Sequence, residues 1–491
     1  MATSLAFYGG VNEIGGNKIL LEDNGTRVFL DFGMSFRIRN MYYDELLRAR
    51  GFATIDEYVS FGQLPALRGL YRTDHLRHAD TDHELLGKGD ERAVDAVLIT
   101  HGHMDHIGLI PYLRTDIQLV GTELTRRYIQ YIEDSKDGLQ REYAHWYPAF
   151  EYRPSTKTKT TRSEKTKQDR QYMVVGPKKA HTIAGLEFEA YPVDHSLHGA
   201  CSYIIKSSSG NVAYTGDLRL HGPLESASRD YVKALEKSDV KVLLCEGTHV
   251  DKSTEITENE LQGNLISKVQ RNKGLVLANY APFDVFRILT LAKAAAACDR
   301  KLLVNPSQAY YMSLIEGMPN ILLPHRDEIG VLMPRMNWGI WGDKRFDMGL
   351  WQSDYDWRFK DSIFSRTDLL TAQEVSKSPE EYLVTCSFYE LNLLHDLKPP
   401  KGSAYLWSRS MPYDEEGEMD MDRVSNWLTH FGIDKPIEVH CSGHMPGNDI
   451  RTLIDTVQPE VVVPIHTKQP ELFRDWHEDV RILNYGDVLN V

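Results

Sequence analysis

The sequence predicts a mixed α/β protein, and three observations carry that reading. The first third, and again residues 172–248, are rich in short apolar strands separated by turns. From about residue 250 the pattern changes to alternating helix and strand, which is the texture of a parallel sheet. The chain has 491 residues, enough for two large domains or for one domain carrying a big insertion. With 42% hydrophobic and 26% charged residues, collagen-like, disulfide-scaffold and wholly disordered classes are excluded.

The strands appear in order. SLAFYGG, NKILLED and TRVFLDFG have strand patterning broken by Gly and Asn-Gly, as in a meandering sheet. A polar, helix-leaning stretch fills 34–92 before AVDAVLITH, a buried strand that ends in a histidine. Residues 153–170, RPSTKTKTTRSEKTKQDR, carry seven Lys or Arg against two acidic residues and have no apolar period. This pattern suits a solvated hairpin or a flap that touches a polyanion. YMVV, LEFEAYPV, CSYIIKSS, NVAYTGD and VKVLLCEG form the second strand block. Beyond 250 the α/β block runs to about 430. It includes Trp338, Trp341, Trp351 and Trp357 interleaved with Arg335, Lys344, Arg345 and Arg358, a mixture suited to base stacking or to packing an irregular insertion. IEVHCSGHMPGNDIRTLIDTVQPEVVVPIHTK then reads as strand, loop, helix, strand and a His-bearing loop.

Charge and cysteine usage narrow the function classes. Lys plus Arg is 56 and Asp plus Glu is 70, a net charge of −14, so a phosphate-rich partner has to be met by a local basic groove or by metal. The five cysteines (Cys201, Cys245, Cys298, Cys386 and Cys441) include no CxxC pair, so neither a disulfide framework nor a zinc knuckle is indicated. The N-terminus lacks a signal-peptide pattern and no apolar run reaches membrane-span length, so the expected address is the cytoplasm.

Residues 93–108, AVDAVLITHGHMDHIG, carry the chemistry. His101 and His103 leave the strand end two residues apart, on one side of an extended chain. Asp105 and His106 follow as the chain turns toward a helix over LIPYLR. Four metal-ligand side chains within six residues are costly unless a cation neutralises them. His195 in EAYPVDHS, Asp217 in NVAYTGDLRLHG and His466 in VVVPIHTK sit at other strand ends. The seven together could fill two divalent-metal sites that share a carboxylate and leave room for a bridging hydroxide.

HGHMDH resembles the HxHxDH signature of the metallo-β-lactamase fold, an αββα sandwich, and the later His195, Asp217 and His466 match its other ligands in order. The resemblance implies that His101, His103 and His195 hold one metal, that Asp105, His106 and His466 hold the other, and that Asp217 bridges them. Zn2+ suits this donor set and Mn2+ is also allowed. Asp217 and His466 are separated by 248 residues, far more than the plain fold needs. VKVLLCEGTHV (Glu246), HCSGHMPGNDI (His444) and PIHTK resemble the three later motifs of the β-CASP nucleases, and the match, with GGVNEIGGNKILLE and LDFG, is similar to ribonuclease J and its archaeal relatives.

That resemblance implies a metallo-β-lactamase core over 1–250 with polar insertions near 34–92 and 153–170, an inserted β-CASP domain over 251–430, and completion of the core over 431–491. It implies hydrolysis of single-stranded RNA, endonucleolytic, 5′→3′ exonucleolytic or both. His444, Asp105 and Glu246 would act in catalysis. Ser387, Ser408, Arg409, Ser442 and Gly443 are the expected substrate contacts, although the segments bearing them differ from the family's Gly-rich phosphate cradle. Thr467-Lys468 replaces the Gly-Glu that commonly follows the last His. The chain ends soon after the fold's last strand, so the family's C-terminal dimerising domain is expected to be absent; a homodimer stays open. His198, His221 and His249 lie near the metal-bearing loops without a family role. A DNA exonuclease of the same group, a thioester or ester hydrolase and a non-catalytic scaffold are the competing readings. His466, the long insertion and the full ligand set, respectively, argue against them.

Overall fold

The computed structural model describes residues 3–44, 46–51, 54–76, 85, 91–136, 141–148, 152–153, 161–162, 167–319, 321–335, 368–410 and 415–491. Trp338, Trp341, Trp351 and Trp357, and most of the 153–170 segment, lie outside the described residues. The chain divides into two units, one comprising 1–220, 224–254 and 443–491 and the other comprising 221–223 and 255–442.

The first unit is a metallo-β-lactamase-type sandwich. One sheet has seven strands in the spatial order Tyr172–Val174, Gln118–Gly121, Ala96–Leu98, Thr26–Leu30, Ile19–Asp23, Ser4–Phe7 and Val488–Asn490. The other has six, in the order Ala180–Ile183, Leu186–Pro192, Cys201–Ser207, Gly210–Tyr214, Val240–Glu246 and Val461–Ile465. Period-2 alternation faces the sheets toward each other. Leu5, Phe7, Ile19, Leu21, Val28 and Leu30 pack with Tyr203, Ile205, Val212, Tyr214, Val242, Leu244, Val463 and Ile465. The alternate residues Ile204, Ala213, Leu243 and Val462 point outward, where they meet Tyr231 and Leu235 of one helix and Ile450, Leu453 and Ile454 of another. The C-terminal segment adds a strand to each sheet. Val461–Ile465 lies parallel beside Val240–Glu246, and Val488–Asn490 lies antiparallel beside Ser4–Phe7.

The second unit is a seven-stranded sheet in the order Leu369–Thr371, Ile329–Met333, Lys301–Val304, Tyr382–Thr385, Val276–Tyr280, Ala404–Ser408 and Ile437–Glu438, with parallel pairing throughout. Its central strands are apolar on both faces because helices cover both, which is why they read as continuous hydrophobic runs. The helix Glu258–Arg271 opens on a capping box between Thr257 and Glu260, and Pro306–Ile315 opens on another between Asn305 and Gln308.

Three details differ from the sequence reading. Tyr172–Val174, placed with the second strand block, joins the edge of the first sheet beside Gln118–Gly121. Residues 431–442, expected in the closing segment, belong to the inserted unit because Ile437–Glu438 pairs with its sheet. After His103 the helix is Met104–Ile107, and LIPYLR supplies only a 3-10 turn over Ile110–Tyr112.

Candidate metal centre

Every predicted ligand of the first unit sits just past a strand end or in the turn after it, and the side chains converge. His101 Nε2 lies 2.9 Å from His103 Nδ1, which lies 3.2 Å from His195 Nε2. These three and Asp217 form one group of convergent ligand atoms, and Asp105, His106 and His466 form a second. Asp217 Oδ2 stands between the groups, 3.7 Å from His101 Nε2, 3.9 Å from His195 Nε2, 3.2 Å from His106 Nε2 and 3.6 Å from His466 Nε2. His466 Nε2 is also 3.2 Å from Asp105 Oδ2.

Outer hydrogen bonds fix which nitrogen of each ring faces inward. His195 Nδ1 donates to the Gly443 carbonyl at 2.7 Å, and His106 Nδ1 donates to Asp31 Oδ2 at 2.7 Å. His466 Nδ1 pairs with Thr248 Oγ1 at 2.8 Å, and His101 Nδ1 with Thr100 Oγ1 at 3.1 Å. Each of these four rings therefore keeps Nε2 for the centre, and His103, which caps the short helix, presents Nδ1. Burial, with help from neighbouring imidazoles, holds His101 and His195 well below the ordinary histidine range. Burial likewise takes His103 down to about 4. At His106 burial opposes charge, but the carboxylates of Asp217, Asp31 and Asp105 outweigh it and push the ring well up. Asp105 and Asp217 stay ionised despite burial because of the surrounding histidines.

The site fits a divalent cation on its own geometry. Asp217 Oδ1 and His106 Nε2 are buried without a hydrogen-bond partner, which is unusual for side chains so deep in a fold. Neutral imidazoles and ionised carboxylates are the forms that ligate metal. The pull for positive charge at His106 is one that a cation satisfies.

His444 stands beside this cluster and is 20% exposed; its Nδ1 lies 3.3 Å from both Glu246 carboxylate oxygens and 4.0 Å from Asp217 Oδ2. Burial opposes charge on His444, but Glu246 outweighs it and the ring is raised to about 9. Glu246 is fully buried at its strand end and also accepts from Leu218 N and Thr248 N. Among the described residues, the imidazole that meets the Glu246 carboxylate is that of His444.

The expected substrate contacts fare differently. Gly443 is beside His195 through its carbonyl. Ser442 is buried, with its carbonyl accepting from His221 Nε2. Ser408 is a correction: its hydroxyl accepts from Arg287 Nη1 and donates to the Val439 carbonyl, and at 2% exposure it presents no surface to a ligand. Ser387 Oγ donates to Glu390 in a capping box, while Arg409 is exposed. His198 is buried and held down to about 3 by burial and Arg219, and the His249 ring lies 5.9 Å from that of His444.

Two features escape the sequence reading. Asp31, in a left-handed turn at φ 56° just past a strand, accepts from Thr100 N, Thr100 Oγ1, His106 Nδ1 and Tyr214 OH. LDFG enters that reading only as part of a resemblance, yet an acidic residue closing an apolar strand is the same signal that flags the histidines. The second is the ion pair Arg219 Nε–Asp194 Oδ1, 2.8 Å long and fully buried. It joins the residue before His195 to the residue two after Asp217.

Residues 74–248 match the metallo-beta-lactamase superfamily, and sandwich, inserted unit and His/Asp cluster agree with that match. Across most of its length the chain is ribonuclease J-like. It is 24% identical over 468 residues to a ribonuclease J of Mycolicibacterium smegmatis, covering 93% of this chain and 67% of the relative. It is 25% identical over 318 residues to one from Corynebacterium glutamicum, covering 62% of this chain and 35% of that protein. With a Helicobacter pylori ribonuclease J it shares 22% identity over 330 residues, covering 65% and 39% of the two chains. The chain thus spans two thirds of the first relative and well under half of the other two. A crystal structure of an Enterococcus faecalis protein of unknown function superposes with a TM-score of 0.71 at 19% identity over the whole of both chains, a likeness of fold. Among the described residues no helix is long and apolar enough to cross a membrane.

Proposed function

We propose that this chain is a metal-dependent ribonuclease that hydrolyses phosphodiester bonds of single-stranded RNA, with endonucleolytic activity, 5′→3′ exonucleolytic activity or both. The observation that carries the reading is the Glu246–His444 pair set against a seven-ligand cluster: a donor poised beside a metal centre. His101, His103 and His195 would hold one cation, Asp105, His106 and His466 a second, and Asp217 both; zinc or manganese suits the set. When bound, such cations lower the pKa of water and neutralise charge on a phosphoryl group.

The chain's own residues do the rest. Asp31, Thr100, Thr248 and the Gly443 carbonyl hold the ligand rings in the orientation that costs least to reorganise. Glu246 takes His444 Nδ1 and favours the imidazolium, so Nε2–H is the proton available to the leaving 3′-oxygen. As the oxygen of a water that has given one proton to solvent bonds to phosphorus and the P–O3′ bond breaks, the His444 proton moves to O3′. The products are a 5′-phosphate and a 3′-hydroxyl, and His444 is left neutral beside Glu246.

The test is cleavage of matched RNA and DNA single strands, 5′-monophosphorylated and 3′-labelled, with zinc or manganese supplied and His444→Ala protein alongside. RNA cut by the wild type and spared by the variant supports the reading, and the product ladder separates internal cuts from stepwise 5′ removal. DNA cut as well as RNA replaces it with a DNA exonuclease. If metal-loaded protein spares both, the nuclease assignment falls.

A further inference from the structure

A charged cavity of about 370 Å³ opens on the first unit, along the helix Glu123–Ser135. Arg126, Arg127, Lys167 and Arg170 line it, together with His145. Arg170 is 5% exposed and its two terminal nitrogens donate only to the carbonyls of Arg114, Pro111 and Leu113. Its Nε has no hydrogen-bond partner, and among the described residues no carboxylate pairs with it. Burial and nearby Arg72 pull its pKa down to about 9, against the opposing pull of Glu142, Asp74 and Glu133.

The three carboxylates at the cavity do not cancel this charge. Glu133 is consumed by the backbone N–H groups of Tyr143, Ala144 and His145 and by His145 Nδ1 at 2.8 Å. Glu123 is shared between Arg127 at 2.9 Å and Arg126 at 3.9 Å, one carboxylate for two guanidinium groups. Asp169 is exposed, as are Arg126 and Lys167, so water screens all three alike and the cavity keeps four cationic side chains against three carboxylates. Lys167 and Arg170 belong to the 153–170 segment, in whose sequence seven basic residues meet two acidic ones in a protein of net charge −14.

The same helix is tied to the metal-bearing loops. Thr122 and Thr125 hydroxyls donate to the Gly199 carbonyl, four residues past His195. Tyr128 packs so closely on Gly102, between His101 and His103, that a Cβ there would fall 2.3 Å from its ring. Arg126 and Gln130 lie on the opposite face from Tyr128, so the cavity stands about one helix diameter, ~10 Å, from those loops. A single strand covering roughly 4–16 nucleotides per binding surface spans that distance easily.

We propose that this cavity binds phosphate groups of the substrate strand away from the reacting bond, a polyanion site by which an acidic protein holds RNA. The inference rests on the ribonuclease reading. The test uses full-length, metal-loaded protein in a His444→Ala background, with fluorescent single-stranded RNA of 20 and of 4 nucleotides titrated at several salt concentrations. Arg126→Ala/Arg127→Ala/Lys167→Ala should weaken 20-mer binding about tenfold and flatten the salt slope by about 0.7 for each phosphate no longer neutralised. The 4-mer, held at the metal centre alone, should bind both proteins equally, and Arg229→Ala/Arg451→Ala should match the parent for both RNAs. No change for the 20-mer, or equal losses for both lengths, overturns the proposal. Inorganic phosphate bound by the parent and lost by the triple variant, with RNA affinity unaltered, makes it a free-phosphate site and overturns the strand assignment. Failure of wild-type protein to cut any RNA would sink the ribonuclease reading instead, whatever these titrations show.

Discussion

Among the described residues, Arg219 in the first unit and Arg287 in the second are each completely buried beside a carboxylate, and the two pairs do different work. In the first unit Arg219 meets Asp194, which also accepts from Leu224 N while its own N–H donates to Ser228 Oγ. That pair bolts the turn carrying His195 to the turn carrying Asp217. In the second unit Arg287 meets Glu258 at 3.0 Å, and its guanidinium also reaches Ser408 and the Cys441 carbonyl. There the pair closes the ends of a parallel sheet and consumes Ser408, one of the three serines that the sequence offered to substrate. Burial and charge alone therefore do not mark a functional residue; what the neighbouring positions carry does.

Truncating either arginine should produce the largest effect. Arg219→Met and Arg287→Met each leave a buried carboxylate without its cation, so each should lose about 3–5 kcal/mol in a denaturant titration. The comparison predicts that they part on metal. Arg219→Met should also weaken zinc binding, read by competition with a chromophoric chelator, while folded Arg287→Met binds zinc as the parent does. Restoring packing with Asp194→Leu/Arg219→Met should recover much of the stability and little of the zinc affinity. Recovery of both would show that Arg219 only holds the fold. Next in size is Asp31→Asn, which keeps the shape but weakens the hold on His106 Nδ1. Metal affinity should fall about 10–100-fold, the range for lost outer partners of a ligand. Unchanged affinity would mean that Thr100 and packing suffice to aim the ring.

How far the site was legible follows from the same contrast. The HGHMDH run and the strand-end His195, Asp217 and His466 are recognisable because ligands at strand ends break an otherwise apolar pattern. Asp31, Thr248 and the Asp194–Arg219 pair are not, because each acts on a partner far away in the chain: Asp31 on His106 across 75 residues, Thr248 on His466 across 218. The alternating block after residue 250 announced a parallel sheet correctly, since strands covered on both faces are uniformly apolar. Its boundary slipped because Ile437–Glu438 is a two-residue edge strand, too short to show any period. Ser408 misled because a polar residue closing a strand looks the same whether it faces a ligand or a buried guanidinium.

Glu246→Gln tests the reacting side of the first unit. It keeps the shape of the side chain but removes the charge that favours His444 in its protonated form. Loss of that assistance should lower kcat for RNA by about 10–100-fold, within the range positioned proton donors supply, with KM and metal content little changed. A loss of metal instead would make Glu246 a support of the ligand cluster through Thr248 and His466.

The smallest effect, and the sharpest for the comparison, belongs to Ser408→Ala. The substitution removes an acceptor for Arg287 and a donor to the Val439 carbonyl. Both groups stay buried, so the cost should be about 1–3 kcal/mol of stability rather than a change in substrate handling. Cleavage of 5′-monophosphate and 5′-hydroxyl RNA by Ser408→Ala should keep the parent's ratio of rates at a temperature where the variant is folded. A ratio that collapses toward one, with stability intact, would return this hydroxyl to the substrate. It would also mean that the buried pair of the second unit opens when RNA binds, so that its resemblance to the first unit's pair runs deeper than the resting structure shows.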